Sequence, residues 1–114
     1  MVVFLFLQHF SNPNFEFWLL LHFNIVNELD QNDLLQNKKI NSEAKSSVRY
    51  ITSELRKVLG TFKKNKFKAE ILINNIDTAI KNEKNYCESL PDLKYKLGSN
   101  IGVFIEKLRY LSKD

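Results

Sequence analysis

The chain has 114 residues, 44% of them apolar and 26% charged, with three Gly, two Pro, one Cys and a formal charge of +4. That is room for one domain and not for two. A single cysteine excludes a disulfide framework and a thiolate zinc cluster, which leaves the cytoplasm as the expected compartment.

The net charge conceals a gradient along the chain. Residues 1–37 carry Glu16, Glu28, Asp30 and Asp33 with no Lys or Arg, giving −4, whereas residues 38–68 sum to +8 and residues 69–114 balance. A polyanion would be steered to that middle quarter. Asn, Lys and Ile together fill 36 positions, the bias of an AT-rich coding sequence, so asparagine content carries no functional argument.

The first 23 residues are the most apolar stretch of the chain. They lack the basic start and small-residue cleavage site of a signal peptide. Gln8, His9, Ser11, Asn12, Pro13, Asn14 and Glu16 interrupt them where a membrane span needs about 20 apolar residues in a row. Two shorter elements are predicted instead. Val2 to Leu7, within residues 1–8, reads as a strand buried on both faces. A helix follows over residues 12–24, with Ser11 or Asn12 as N-cap and Pro13 at its first position. On that helix Asn12 and Glu16 fall on one face with Leu20 and Phe23. The chain offers no other convincing strand, so a partner chain or a missing portion is expected to pair with the first.

Residues 24–41 read as a polar connecting loop with a short helical turn near Asp33 to Gln36. The helical part occupies residues 42–114. Ser42 caps a first helix, marked by Ala44, Val48, Ile51, Leu55, Val58 and Leu59, and Gly60 ends it where a positive φ is wanted. A second helix is predicted from Phe67 to Asn85, with Leu72, Ile73, Ile76, Ala79 and Ile80 as its buried stripe and Asp77 with Lys81 as an i,i+4 pair. Pro91 punctuates a loop. Ser99 then caps a last helix whose apolar face is Ile101, Phe104, Ile105, Leu108 and Leu111. The fold class is therefore mainly α, one N-terminal strand followed by about four helices.

Thirteen consecutive residues, Ser11-Asn12-Pro13-Asn14-Phe15-Glu16-Phe17-Trp18-Leu19-Leu20-Leu21-His22-Phe23, resemble the signature block of the RloB-like family. That block typically reads Ser-Asn-Pro-Cys-Phe-Glu-hydrophobic-Trp-Leu-Leu-Leu-His-Phe, so the main departure is Asn14 in place of Cys. The stretches Ile76 to Glu83 and Ser99 to Leu108 look like later helices of the family, and the resemblance covers nearly the whole chain. It implies a restriction-linked or abortive-infection protein of phage defence, a neighbouring ATPase as partner, and a Toprim-like α/β domain of which this chain is the C-terminal portion. It also implies Mg²⁺-dependent nuclease chemistry, with the metal held by an upstream Glu and an Asp-x-Asp pair. No Asp-x-Asp occurs here and no acidic residue precedes Glu16. On this reading the ligand-bearing strands lie before Met1, through a truncated gene, a wrongly assigned start codon or a split gene. The chain alone is then expected to be inactive, with no metal site of its own.

Among the signature residues, Glu16 has two readings. A carboxylate in the first turn of a helix is favoured by the helix dipole, and the family block equally suits a place on a catalytic or phosphate-binding face. His9, Glu16 and His22 do not have the spacing of a metal triad. His22 is expected to bond a backbone carbonyl at the helix end. Cys87 reads as a half-buried structural thiol. Arg56, Lys57, Lys63, Lys64, Lys66 and Lys68, interleaved with Phe62 and Phe67, suit nucleic-acid phosphates or a solvated surface at a helix C-terminus. The rival to the family reading is a small helical interaction or nucleic-acid-binding module without nuclease ancestry.

Overall fold

The structure is a computed structural model and describes residues 11–40, 48–60 and 69–112. Its elements in chain order are β1 (Ser11–Asn12), α1 (Phe15–Leu20), a 3-10 turn (Asn24–Glu28), α2 (Gln31–Gln36), β2 (Lys39–Ile40), β3 (Val48–Arg49), α3 (Tyr50–Leu59), α4 (Ala69–Asn74), α5 (Ile76–Glu83), β4 (Gly98–Ser99) and α6 (Ile101–Leu111). The described residues are thus mainly helical, with two antiparallel strand pairs: β1 with β4, and β2 with β3. The expected strand at Val2 to Leu7 lies outside the described residues, as do Ser42, Ala44 and His9.

The four short strands correct the expectation of a single strand. Each is two residues long, too short for an alternating pattern to show in sequence. In the first pair Ser11 faces Ser99 and Asn12 faces Gly98. Gly98 also bridges to Cys87. Only glycine fits there, because any Cβ would run into the Cys87 carbonyl.

The signature helix is shorter than predicted and starts later. Asn12 belongs to β1, and Asn14 is the N-cap, its Oδ1 accepting from Phe17 N at 3.3 Å. Asn12 is unavailable as a cap because its side chain faces the loop before β4. Asn12 and Glu16 therefore do not share a helix face. The segment after α1 bears out the helical turn expected near Asp33 to Gln36, extended to Gln31–Gln36 as α2, and adds a 3-10 turn before it. Asp30 caps α2 by accepting from Asp33 N, and Asn37 closes it at φ 45°. The next helix begins at Tyr50, with Val48 in β3 instead of on the helix. Its end at Gly60 has the positive φ the sequence called for, 81°.

The predicted second helix breaks at Asn75. The Asn75 side chain donates to Ile71 O at 2.6 Å, and the backbone N–H turns instead to Leu72 O at 3.0 Å. An amide side chain competing for the carbonyl four residues back tightens the turn, and α5 starts afresh. Ile73, expected in the buried stripe, is left 65% exposed. Asp77 does not pair with Lys81 but crosses to Arg109 on α6 at 2.6 Å. On α6 itself Ile101 and Ile105 are half-buried, whereas Leu108 and Leu111 are exposed.

The core gathers on α1, where Phe17, Leu20 and Leu21 are wholly buried and pack with Ile51 and Leu55 of α3, Ala79 and Ile80 of α5, Val26 and Leu34. The Phe17 ring meets Tyr86 edge-on at 5.2 Å. Asn82, buried on α5, donates to Leu21 O at 2.9 Å.

Candidate functional site

The signature block is not one pocket but a set of ties. Asn12 spends both side-chain hydrogens on the loop before β4, donating to Leu93 O at 2.7 Å and Lys96 O at 3.0 Å. Ser11 is buried in β1. The Asn12-Pro13 peptide is cis and leads to the Asn14 cap. Glu16 is buried and accepts from Thr52 Oγ1 of α3 at 2.9 Å, with Asn14 Nδ2 at 3.4 Å. It joins α1 to α3.

His22 closes the end of α1. Its Nδ1 lies 3.0 Å from Trp18 O and 3.1 Å from Leu19 O. A carbonyl only accepts, so Nδ1 carries the hydrogen. Burial lowers the imidazole pKa, partly offset by these two bonds. The ring packs edge-on against Trp18 at 5.0 Å. Trp18, His22 and the 55% exposed Phe15 line an apolar groove of about 240 Å³ with Ile73, Ile76 and Ile105.

Mg²⁺ requires several oxygen ligands. Among the described residues no three His, Cys, Asp or Glu side chains are grouped to hold a metal ion, and Glu16 is engaged by Thr52. The described residues do not fit the metal that the resemblance implies.

Of the basic candidates, Arg56 and Lys57 stand exposed in the last turn of α3. Lys57 Nζ reaches Glu54 at 2.9 Å, a bond that raises its pKa. Lys63, Lys64, Lys66 and Lys68 lie outside the described residues. The structure adds three cations. Lys39 faces Arg49 across the β2–β3 ladder, beside Lys38, and all three are exposed. The Arg49 guanidinium donates to Asn37 O at 3.0 Å. Register across a two-residue ladder has no sequence signal, so this opposition was not legible beforehand.

Two further features escaped the sequence. Glu83, which lies within the predicted second helix but outside its apolar stripe, is wholly buried. Its Oε2 accepts from Ser99 Oγ and from Gly102 N, each at 2.8 Å, and its Oε1 from Val103 N at 3.2 Å. Ser99 Oγ also accepts from Ile101 N at 3.1 Å. The N-cap position thus falls at Asn100, one residue after the expected Ser99, and the first turn of α6 is bonded by Ser99 Oγ and by a carboxylate from α5. Burial, reinforced by the neighbouring Glu88 carboxyl, pushes the Glu83 pKa up to about 7, against the lowering effect of the Gly102 and Ser99 bonds. Glu88 Oε2 is buried and has no donor facing it.

The second is an open cleft of about 620 Å³ between the start of α2 and residues 85–97, lined among others by Gln31, Asn32, Asn85, Glu88, Tyr95 and Lys96. Tyr95 is 78% exposed at its edge. Cys87, half-buried as expected, also borders it.

No helix among the described residues is long and apolar enough to cross a membrane. No curated protein and no solved structure matches the chain. The model of one family, described as RloB-like protein, matches residues 6–108. With most of the chain matched, including the whole block from Ser11 to Phe23 that holds α1 in place, the chain belongs to the RloB-like family.

Proposed function

We propose that this chain acts in a restriction-linked phage-defence system by gripping nucleic-acid phosphates through the exposed cations of the β2–β3 ladder, with Arg56 farther along α3. The observation that carries the reading is the cross-strand pair of Lys39 and Arg49. Like charges directly opposite each other destabilise a ladder, and a phosphate between them turns repulsion into attraction. Lys38 and Arg56 add to these cations, Lys57 being paired with Glu54, and Lys63, Lys64, Lys66 and Lys68 follow α3 in sequence.

A Toprim-like α/β sheet with Mg²⁺ chemistry and a partner ATPase belong to this proposal as features of the wider system. Glu16 serves as the tie between α1 and α3, and the chain alone is inactive. Incubation with DNA, RNA or tRNA and Mg²⁺ checks that: metal-dependent cleavage abolished by Glu16→Ala overturns it.

Binding is tested by titrating salt. Affinity for a mixed-sequence oligonucleotide falls linearly on logarithmic axes, and a Lys39→Gln/Arg49→Gln variant shows a slope shallower by roughly one to two. An unchanged slope removes these residues from the interface. Absence of binding at low salt favours the interaction module instead.

A further inference from the structure

We propose that the cleft between α2 and residues 85–97 holds one unstacked nucleotide, its base on Tyr95 and its phosphate at Lys96. The inference deepens the nucleic-acid reading and rests on it for the polymer, but it stands on different residues.

The wall that carries Tyr95 and Lys96 is a fixed surface. Leu93, in its middle, is wholly buried. Tight turns close it, with Leu93 N and Asp92 N both on Ser89 O at 3.0 Å and Lys96 N and Tyr95 N both on Asp92 O at 3.0 Å. Asn12 clamps it from outside through the Leu93 and Lys96 carbonyls. Cys87 N to Leu97 O at 3.1 Å and Ser99 N to Cys87 O at 2.9 Å fasten its far end. The backbone that carries this 78% exposed ring is held before any ligand arrives, so little backbone ordering remains to oppose binding.

The chemistry of the lining selects the ligand class. An exposed ring alone suits many molecules. A ring beside an ammonium and three carboxamides, Gln31, Asn32 and Asn85, suits a ligand with a flat π-face, an edge of mixed donors and acceptors, and an anionic tail. That is the composition of a nucleotide, and stacking on aromatic side chains with edge-on hydrogen bonds is how unpaired bases are held. The volume lies within the range of small-molecule sites. Glu88 is the one acidic group in the lining.

Placement agrees with the basic face. α2 borders the cleft through Gln31, Asn32 and Leu35, and its C-terminal end runs straight into Lys38 and Lys39. Six residues of helix span about 9 Å. A single strand gripped at Lys39 and Arg49 therefore has its next bases within reach of Tyr95.

The full chain is titrated with AMP, GMP, CMP and UMP separately, and with a single-stranded and a duplex oligonucleotide, for wild type, Tyr95→Ala, Lys96→Gln and Lys39→Gln/Arg49→Gln. Readouts are fluorescence anisotropy and the NMR shifts of the Asn32 and Asn85 side-chain amides. Tyr95 is exposed, so its truncation leaves the melting temperature unchanged. The expected result is preference for the single strand over the duplex, loss of about tenfold or more of that affinity in Tyr95→Ala, and movement of the two amides. Amide shifts with a free mononucleotide identify the monomer as a ligand in its own right; their restriction to the oligonucleotide identifies a strand. Single-strand affinity equal in wild type and Tyr95→Ala, but reduced in Lys39→Gln/Arg49→Gln, overturns the cleft and leaves the basic face standing. Mononucleotide binding lost in Tyr95→Ala, with polymer binding indifferent to Lys39 and Arg49, does the reverse.

Discussion

A methyl group on Gly102 would lie 2.8 Å from Oε1 of Glu83. The glycine is the space in which a buried carboxylate reaches the first turn of α6. Gly102→Ala gains up to about 1 kcal/mol of helix propensity. It also displaces an acceptor that serves two backbone N–H groups, and bonds to a charged group contribute about 1.5–3 kcal/mol each. The loss wins: a net destabilisation of about 2–5 kcal/mol is expected, read as a lower urea midpoint. A variant as stable as wild type shows that Glu83 relocates at no cost.

Glu83 also sets a pH dependence. Its folded pKa of about 7 lies above the ordinary 4.5, so between those values the folded chain keeps a proton that the unfolded chain releases. The stability this contributes is full below about pH 4.5 and is lost as pH rises through about 7. Glu83→Gln keeps the shape and removes the titration. The melting temperature of Glu83→Gln relative to wild type should therefore rise steadily from pH 5 to pH 8, whatever its constant offset. A difference independent of pH places the proton elsewhere.

His22 works in the opposite direction. Its folded pKa is depressed below 6.5 by burial, so the stability it contributes is present above pH 6.5 and is lost as pH falls through the folded value. A nitrogen-15 spectrum at pH 7.5 should show a neutral ring with the hydrogen on Nδ1. An Nε2–H tautomer contradicts the two carbonyl contacts.

Asn12 is expected to matter through the loop it clamps. Asn12→Ala removes two hydrogen bonds and leaves the Leu93 carbonyl short of a donor, a cost of about 1–3 kcal/mol. Amide exchange at residues 93–96 should quicken more than exchange in α3. Asn12→Asp, with no donor to offer two carbonyls, should be worse than Ala. Equal exchange in both variants detaches the loop from the signature block.

What the sequence disclosed followed from periodicity and local signals. The stripe of Ile51, Leu55 and Leu59, the positive φ at Gly60, the carbonyl bond of His22 and the half-buried thiol of Cys87 all depend on neighbours within a few positions. What it concealed depends on distance along the chain. Asn12 looked like a helix cap because its true partners are more than 80 positions away. Asn75 looked like a tolerated helix residue, since nothing in the string says whether its amide turns outward or back onto Ile71. Glu83 lies outside the apolar stripe of its helix, and its partners Ser99, Gly102 and Val103 are 16 to 20 positions away. The candidate site suffered most. Tyr95, Lys96, Gln31 and Asn32 become neighbours only through the clamp on the loop, and Lys39 meets Arg49 only through a ladder of two residues.

The pairing of β1 with β4 bears on synthesis. Ser11 waits for Ser99, and Asn12 waits for Leu93, Lys96 and Gly98, so a nascent chain emerging from the ribosome carries an apolar α1 whose entry cannot be fixed until residues 93–99 have followed it out. Over that interval the apolar segment is open to chaperones. A ribosome-stalled nascent chain ending before residue 98 should be cut by protease near Asn12, and one extended past α6 and clear of the exit tunnel should resist.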